Sequence, residues 1–349
     1  MIETWYAILS FMLAMFVVLD GLDIGIGMLQ FLVAKTEAER RLVMAAIGPL
    51  WSWNEVWLLG FGGMLFVAFP KILAVSFAGF YLALFLLLWA LVVRGMSIEV
   101  SGHLEDPLWR TAWHFGFVAS NVLLAVLIGA ALGNVVRGVP LDATGKFTLS
   151  FFTDFSPRGQ VGILDWYTVA VAVFTVVTLA AHGANALVLR TSGPVHDRSL
   201  CLARLLWNGV AGLLVAITVA SWRVRPDLFP GMVHQPFAWL GLACVFSGLR
   251  AVSRGLRSTQ EFLAVLGSSV FLAGLMIAGA AGVFPIMLHS TLAPDNSLTA
   301  YQSAAAGHGL AVALVWWPVA LIFSFGYFWF IYRHYRGKLK PSEDTQSPY

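Results

Sequence analysis

The chain reads as a series of long apolar runs separated by short polar punctuation. A helix needs about 20 mostly apolar residues to cross the hydrocarbon of a bilayer. Nine such runs can be marked, at roughly 4–33, 50–69, 73–95, 112–136, 164–189, 202–222, 236–253, 261–288 and 310–332. None alternates like a barrel strand, so the pattern predicts an all-α, polytopic integral membrane protein with about nine transmembrane helices. Residues 1–335 are expected to form a single transmembrane helical domain, and 336–349 a polar cytoplasmic tail. The longest connections, 137–163 and 289–309, are turn-rich and do not read as folded extramembrane domains. The opening MIETWYAILSF has no basic n-region and no small-residue cleavage site, so it is expected to be a retained first span.

Composition supports this reading. Of 349 residues 59% are hydrophobic and 11% charged, with 14 Trp and 26 Phe; a soluble domain carries about 25% charged residues. The net charge of +3 therefore carries no signal for nucleic acid, because the basic residues lie in short loops, where they report topology. With the N-terminus outside, fifteen Lys and Arg fall on the inner side, and only Lys71, Arg137, Lys146, Arg158, Arg223 and Arg225 on the outer. The bias predicts N-terminus out and C-terminus in. Cys201 and Cys244 form no CxxC or Cys/His cluster, so neither a disulfide framework nor a metal-thiolate site is expected. No Walker motif or GxGxxG fingerprint occurs, which argues against an ATP-driven transporter.

Polar residues inside the runs are the candidate chemistry. In VLDGLDIGIGM, Asp20 and Asp23 are three apart and share a helix face. Gly27 lies near that face, where a missing side chain lets another helix approach. A carboxylate at bilayer depth costs at least ~2.5–3.5 kcal/mol on insertion scales, so two of them need a reason. The functional reason is a proton or cation path; the bland one is bonding to a neighbouring helix. Asn54 and Glu55 open the second run among Trp51, Trp53 and Trp57. An interfacial tryptophan belt and a helix N-terminus that favours a carboxylate account for that stretch equally well. His114 and His182, alone on their helices, read as hydrogen-bonded core residues before haem ligands. Arg94 and Glu99 read as a solvated ion pair at the inner surface. Gly129 with Gly133, and Gly274 with Ala278, have the small-xxx-small spacing of close helix contacts, within this chain or against a partner. On this topology the titratable groups gather in the inner half and leave the outer half nearly bare.

Three stretches, LDGLDIGIGML, GPLWSWNEVWLLGFGGMLFVAF with its continuation to Val100, and VFPIMLHSTLAPDNSLT, resemble subunit II of cytochrome bd-type quinol oxidases, cyanide-insensitive variants included. The resemblance is strong over residues 18–107 and returns in the eighth and ninth runs. It implies two four-helix bundles plus one peripheral helix in a bacterial cell (inner) membrane, paired with a similarly folded subunit I. Haems b and d belong to that partner in the family, and none is expected on this chain. The complex oxidises quinol, reduces O₂ to water and draws protons from the cytoplasm. Subunit II supports assembly and can hold a structural quinone or lipid, and in some members it lines a proton route; a small single-helix subunit also occurs. By resemblance Asp20 and Asp23 match the first-helix acidic pair, and Asn54, Glu55 and Trp57 match an N-[EQ]-V-W element. Many members read W-D-G-N where this chain has Trp51-Ser52-Trp53-Asn54. Ser52 thus stands in a proton route where the family has a carboxylate, and a hydroxyl relays a proton without storing one.

A second reading from a different class is a stand-alone secondary transporter or ion channel using the Asp20/Asp23 pair. It would call for inverted repeats and paired broken helices, and the sequence shows neither.

Overall fold

The computed structural model describes residues 1–148, 150–156, 161–334 and 337–339. The sequence-predicted tail thus lies outside the described residues except for 337–339. The long helices are α1 (Ile2–Val33), α3 (Trp51–Ala68), α5 (Tyr81–Val100), α6 (Pro107–Arg137), α7 (Trp166–Arg190), α8 (Pro194–Val224), α10 (Pro236–Arg257), α11 (Glu261–Val283) and α13 (Gly307–His334). Short helices α2 (Glu37–Ile47), α4 (Pro70–Gly79), α9 (Leu228–Val233) and α12 (Ala300–Ser303) connect them. Among the described residues eight helices are long and apolar enough to cross a membrane, or nine if α3 and α4, bent by 119°, count as one span.

That bend corrects the sequence reading of a third span at 73–95. Pro70 opens α4, and a residue before proline is disfavoured in helical geometry, so α3 ends at Ala68 and Phe69 turns the chain. A second break falls at Phe80, and the span proper is Tyr81–Val100. The ring of Phe147 from a distant loop packs against Gly79, where a side chain would collide with it, and meets Phe80 edge to face at 5.0 Å.

Helices α1, α3, α5 and α6 pack as one group of four, and α7, α8, α10 and α11 as another, joined where α1 and α6 meet α7. Helix α13 lies at the edge, with 6% of its apolar window buried. It is held through rings: Trp53 meets Tyr327 at a tilt with ring centres 3.9 Å apart, and Trp57 meets Phe325 and Phe328. The tryptophans of the second run are therefore not simply a belt, since Trp57 is buried and Trp51 is half-buried beside Gly95.

In lipid the apolar faces of helices gain little from meeting one another, so close van der Waals contact decides packing. Helices α1 and α7 cross at Gly25 and Gly183, where a side chain on either would enter the other's backbone. Helices α10 and α11 approach through glycines seven apart. Gly241, Gly248 and Gly255 face Ala278, Phe271 and Ala264, while Gly267 and Gly274 return the fit. Gly129 and Gly133 meet Ala172, Thr175 and Thr168 of α7. Both small-residue pairs noted in the sequence thus pack within this chain.

The two long connections knit together over one end of the bundle. A two-stranded antiparallel ribbon joins β1 (Ile286–Leu288) to β2 (Leu298–Thr299). Val139 and Thr291 bond backbone to backbone at 2.9 Å, and Ser290 Oγ donates to the Leu141 carbonyl. Leu141, Phe147, Ile163, Leu288 and Leu298 form with Trp5 and Phe69 a second apolar core.

Gly25→Leu and Gly274→Leu should each destabilise the protein by about 1–3 kcal/mol or more through overpacking. Gly62→Leu, at a glycine with open space around it, should not. Thermal denaturation of the purified variants checks this, and equal midpoints for all three would refute the close-approach account.

Candidate functional site

The site is built from the chain reversal after α1. Thr36 caps α2 in a capping box with Glu39, whose Oε2 also accepts from the Lys35 N–H at 2.6 Å. Glu39 further pairs with Arg198 of α8. Burial opposes its charge, but the Lys35 N–H, Arg198 and the Thr36 N–H outweigh it and hold the carboxyl below its usual range. Glu37 likewise sits low: burial is overcome by His114, Arg41 and Arg40. Gly48, at φ +59°, then turns the chain into α3.

This turn brings the first residues of α3 against the middle of α1. Asn54 Nδ2 donates to Asp23 Oδ2 at 2.6 Å. From α5, Arg94 grips Asp20 with both arms of its guanidinium, Nη1 to Oδ2 at 2.8 Å and Nη2 to Oδ1 at 2.6 Å. Nη1 also reaches Glu55 Oε1 at 3.2 Å, and Nη2 lies 3.9 Å from Asp23. The Arg94 and Asp20 side chains are 0% exposed, Asp23 6% and Glu55 19%, which makes Glu55 the most exposed carboxyl of the set. Arg94 Nε, Asn54 Oδ1 and Trp57 Nε1 are buried with no hydrogen-bond partner among the described residues.

Four of the five site residues proposed from sequence therefore meet. Ser52 does not: it is exposed on the first turn of α3, with no hydrogen bond to the cluster among the described residues. Arg94 is the residue that sequence reasoning misplaced. Ending its span at Gly95 places it at the surface, whereas α5 continues for five more residues to Val100 and carries it inside. A signal was present, since an arginine within a span needs a carboxylate, and Asp20 and Asp23 were at hand. Arg94 is fully buried and bonded to Asp20 and Glu55, which corrects the expectation that it is a solvated residue at the inner surface.

His182 lies apart. Its Nε2 meets the Val18 carbonyl at 3.0 Å and its Nδ1 the Ser268 hydroxyl at 2.7 Å. A carbonyl only accepts, so Nε2 carries the proton there. His114 Nε2 lies 3.4 Å from Glu37. Among the described residues no three His, Cys, Asp or Glu side chains gather as metal ligands. The other end of the bundle is not bare. Arg137 pairs with Asp165 and bonds Asn134 and the Gly162 carbonyl, and buried Arg225 donates to the Val136 carbonyl at 3.0 Å. Arg137 and Arg225, read from sequence as loop residues, thus tie the ends of α6, α7 and α8 together.

A profile described as cytochrome bd terminal oxidase subunit II matches residues 1–335. The chain belongs to that family. It is 28% identical to a probable cytochrome oxidase subunit 2 of Haemophilus influenzae, over 96% of this chain and 94% of that one. Identity to the cytochrome bd-I ubiquinol oxidase subunit 2 of Escherichia coli is 27%, over 93% and 92%. For the cytochrome bd ubiquinol oxidase subunit 2 of Bacillus subtilis it is 26%, over 89% and 88%. The fold matches a chain of the bd oxidase from Geobacillus thermodenitrificans with a TM-score of 0.74 at 15% identity, covering 96% of this chain and 98% of that one. As subunit II of a bd-type terminal oxidase, this chain is a multi-pass protein of the bacterial inner membrane and part of a quinol-oxidising respiratory complex. The stand-alone transporter reading is set aside by this membership.

Arg94→Gln should cost about 3–5 kcal/mol, because it leaves buried carboxylates uncompensated. Arg94→Gln combined with Asp20→Asn should recover a large part of that loss. Thermal denaturation of the purified complex reads both. A double variant no more stable than Arg94→Gln would show that Asp20 is not the partner that matters.

Proposed function

We infer that subunit II supports assembly of a haem-bearing subunit I and conducts protons from the cytoplasmic side through its carboxylate cluster, with the N-terminus outside and the C-terminus inside. The observation that carries this is three carboxyls sharing one guanidinium in the bundle interior. Arg94 does not give up its proton, and two uncompensated negative charges in that setting are unfavourable. Charge balance calls for protons or another cation, which is the condition for a site that loads and unloads them. Glu55, partly exposed, takes protons up, and Asp23, bonded to the small amide of Asn54, passes them on. The unpartnered atoms of Asn54, Trp57 and Arg94 provide bonding positions for water between the carboxyls. Asp20, clamped on two atoms, holds the arginine.

Asp23→Asn is therefore a cleaner test than any change at Asp20, which would release Arg94. It should slow quinol-driven oxygen uptake by purified complexes of unchanged haem content, and slow it more than Glu55→Gln does. The loss should stay below about tenfold, or ~1.4 kcal/mol of barrier, because Ser52 stands where relatives store a proton. Full activity in Asp23→Asn would remove this subunit from the proton path.

The haems are assigned to the partner subunit. Both ring nitrogens of His182 are engaged by protein atoms, and one nitrogen of His114 faces Glu37. Expressed without its partner, the chain should purify with no stoichiometric haem absorbance; about one haem per chain would reject the assignment.

A further inference from the structure

We propose that the basic end of α10 is a binding site for an anionic phospholipid. Arg250, Arg254 and Arg257 repeat at helical spacing on one exposed face, spanning about 10 Å of the axis. They border an open, shallow groove along the same face of α10, which continues deeper into the span as Leu249 and the exposed ring of Phe246. A fourth cation, Arg204 of α8, joins this end by donating to the Leu256 carbonyl at 3.1 Å.

Topology alone accounts for basic residues at a helix end, but such residues ordinarily extend into water from loops. Arg250 instead lies two turns inside the end of α10 and shares a wall with apolar side chains. Like charges stacked along one face repel and need a counter-charge, and among the described residues no carboxylate pairs with any of the three. Glu261, at the start of α11, is already engaged by His196 and Lys338. Guanidinium forks match a phosphate in geometry and charge. The adjoining Phe246 and Leu249 suit an acyl chain, which makes a phospholipid a better fit than a free anion.

The test is native mass spectrometry of the delipidated, intact complex titrated with phosphatidylglycerol, phosphatidylcholine or inorganic phosphate. The complex should take up phosphatidylglycerol in preference to phosphatidylcholine. Each arginine near a membrane surface contributes about a fivefold preference for anionic lipid, so Arg254→Gln should weaken that uptake about fivefold and the triple change of Arg250, Arg254 and Arg257 to Gln about a hundredfold. Arg223→Gln, at the opposite end of α8, should leave it unchanged. Equal uptake of phosphatidylcholine, undiminished phosphatidylglycerol binding in both Gln variants, or phosphate binding as tight as the lipid's would each overturn the proposal. The single variant keeps the test decisive should the triple variant fail to assemble.

Discussion

A guanidinium enclosed by membrane helices has to be met by carboxylates, and much of this subunit is arranged to meet one. Arg94 leaves α5, grips Asp20 on α1 and touches Glu55 on α3. One side chain thereby fixes the relative height of three helices, because a shift of one turn, about 5.4 Å, would strand the charge. The cost of stranding it is severalfold larger than that of an exposed ion pair. The upstream features serve the same placement. The capping box at Thr36, the Glu39–Arg198 tether and the turn at Gly48 deliver Asn54 and Glu55 to the cluster.

Helix α1 sits at the centre of this arrangement and uses every side. Its carboxylates face α3 and α5, Gly25 presses on α7, Gly27 receives Asn121 of α6, and the Val18 carbonyl accepts from His182. A helix surrounded by others is apolar around its whole circumference except where it is bonded, and α1 follows that rule. Its glycines and aspartates are two answers to one condition. With no water in the bilayer core, contacts must come from close packing or from fully paired polar groups.

The two ends of the bundle differ in a way that supports the proposed direction of proton uptake. At one, the described residues of the connections after α6 and α11 fold over the helices and enclose an apolar core, with Arg137–Asp165 and Arg225 closing the helix ends. At the other, Glu55 stays partly exposed, and Glu37 of the short helix α2 meets His114 of α6. The sealed end suits retention of protons, and the open end suits their admission.

Composition and run length alone determined that this is an all-helical membrane protein, because the bilayer imposes both the apolarity and the length of a span. Asp20, Asp23, Asn54 and Glu55 were legible for a related reason: polar groups in lipid are costly and stand out. What pairs with them was not legible. Arg94 depended on where α5 ends, a matter of five residues that hydropathy does not resolve, and Ser52 depended on which way the first turn of α3 faces. Pro70, which sets the 119° bend, was visible in the sequence, but the second break at Phe80 is packed by Phe147, a residue far along the chain that lies against Gly79. Whether Gly129 and Gly274 pack inside the chain or against a partner could not be read from spacing, since small-residue spacing states only that something approaches. Tertiary structure decided these points because each is set by residues distant in sequence that meet only when the helices are assembled.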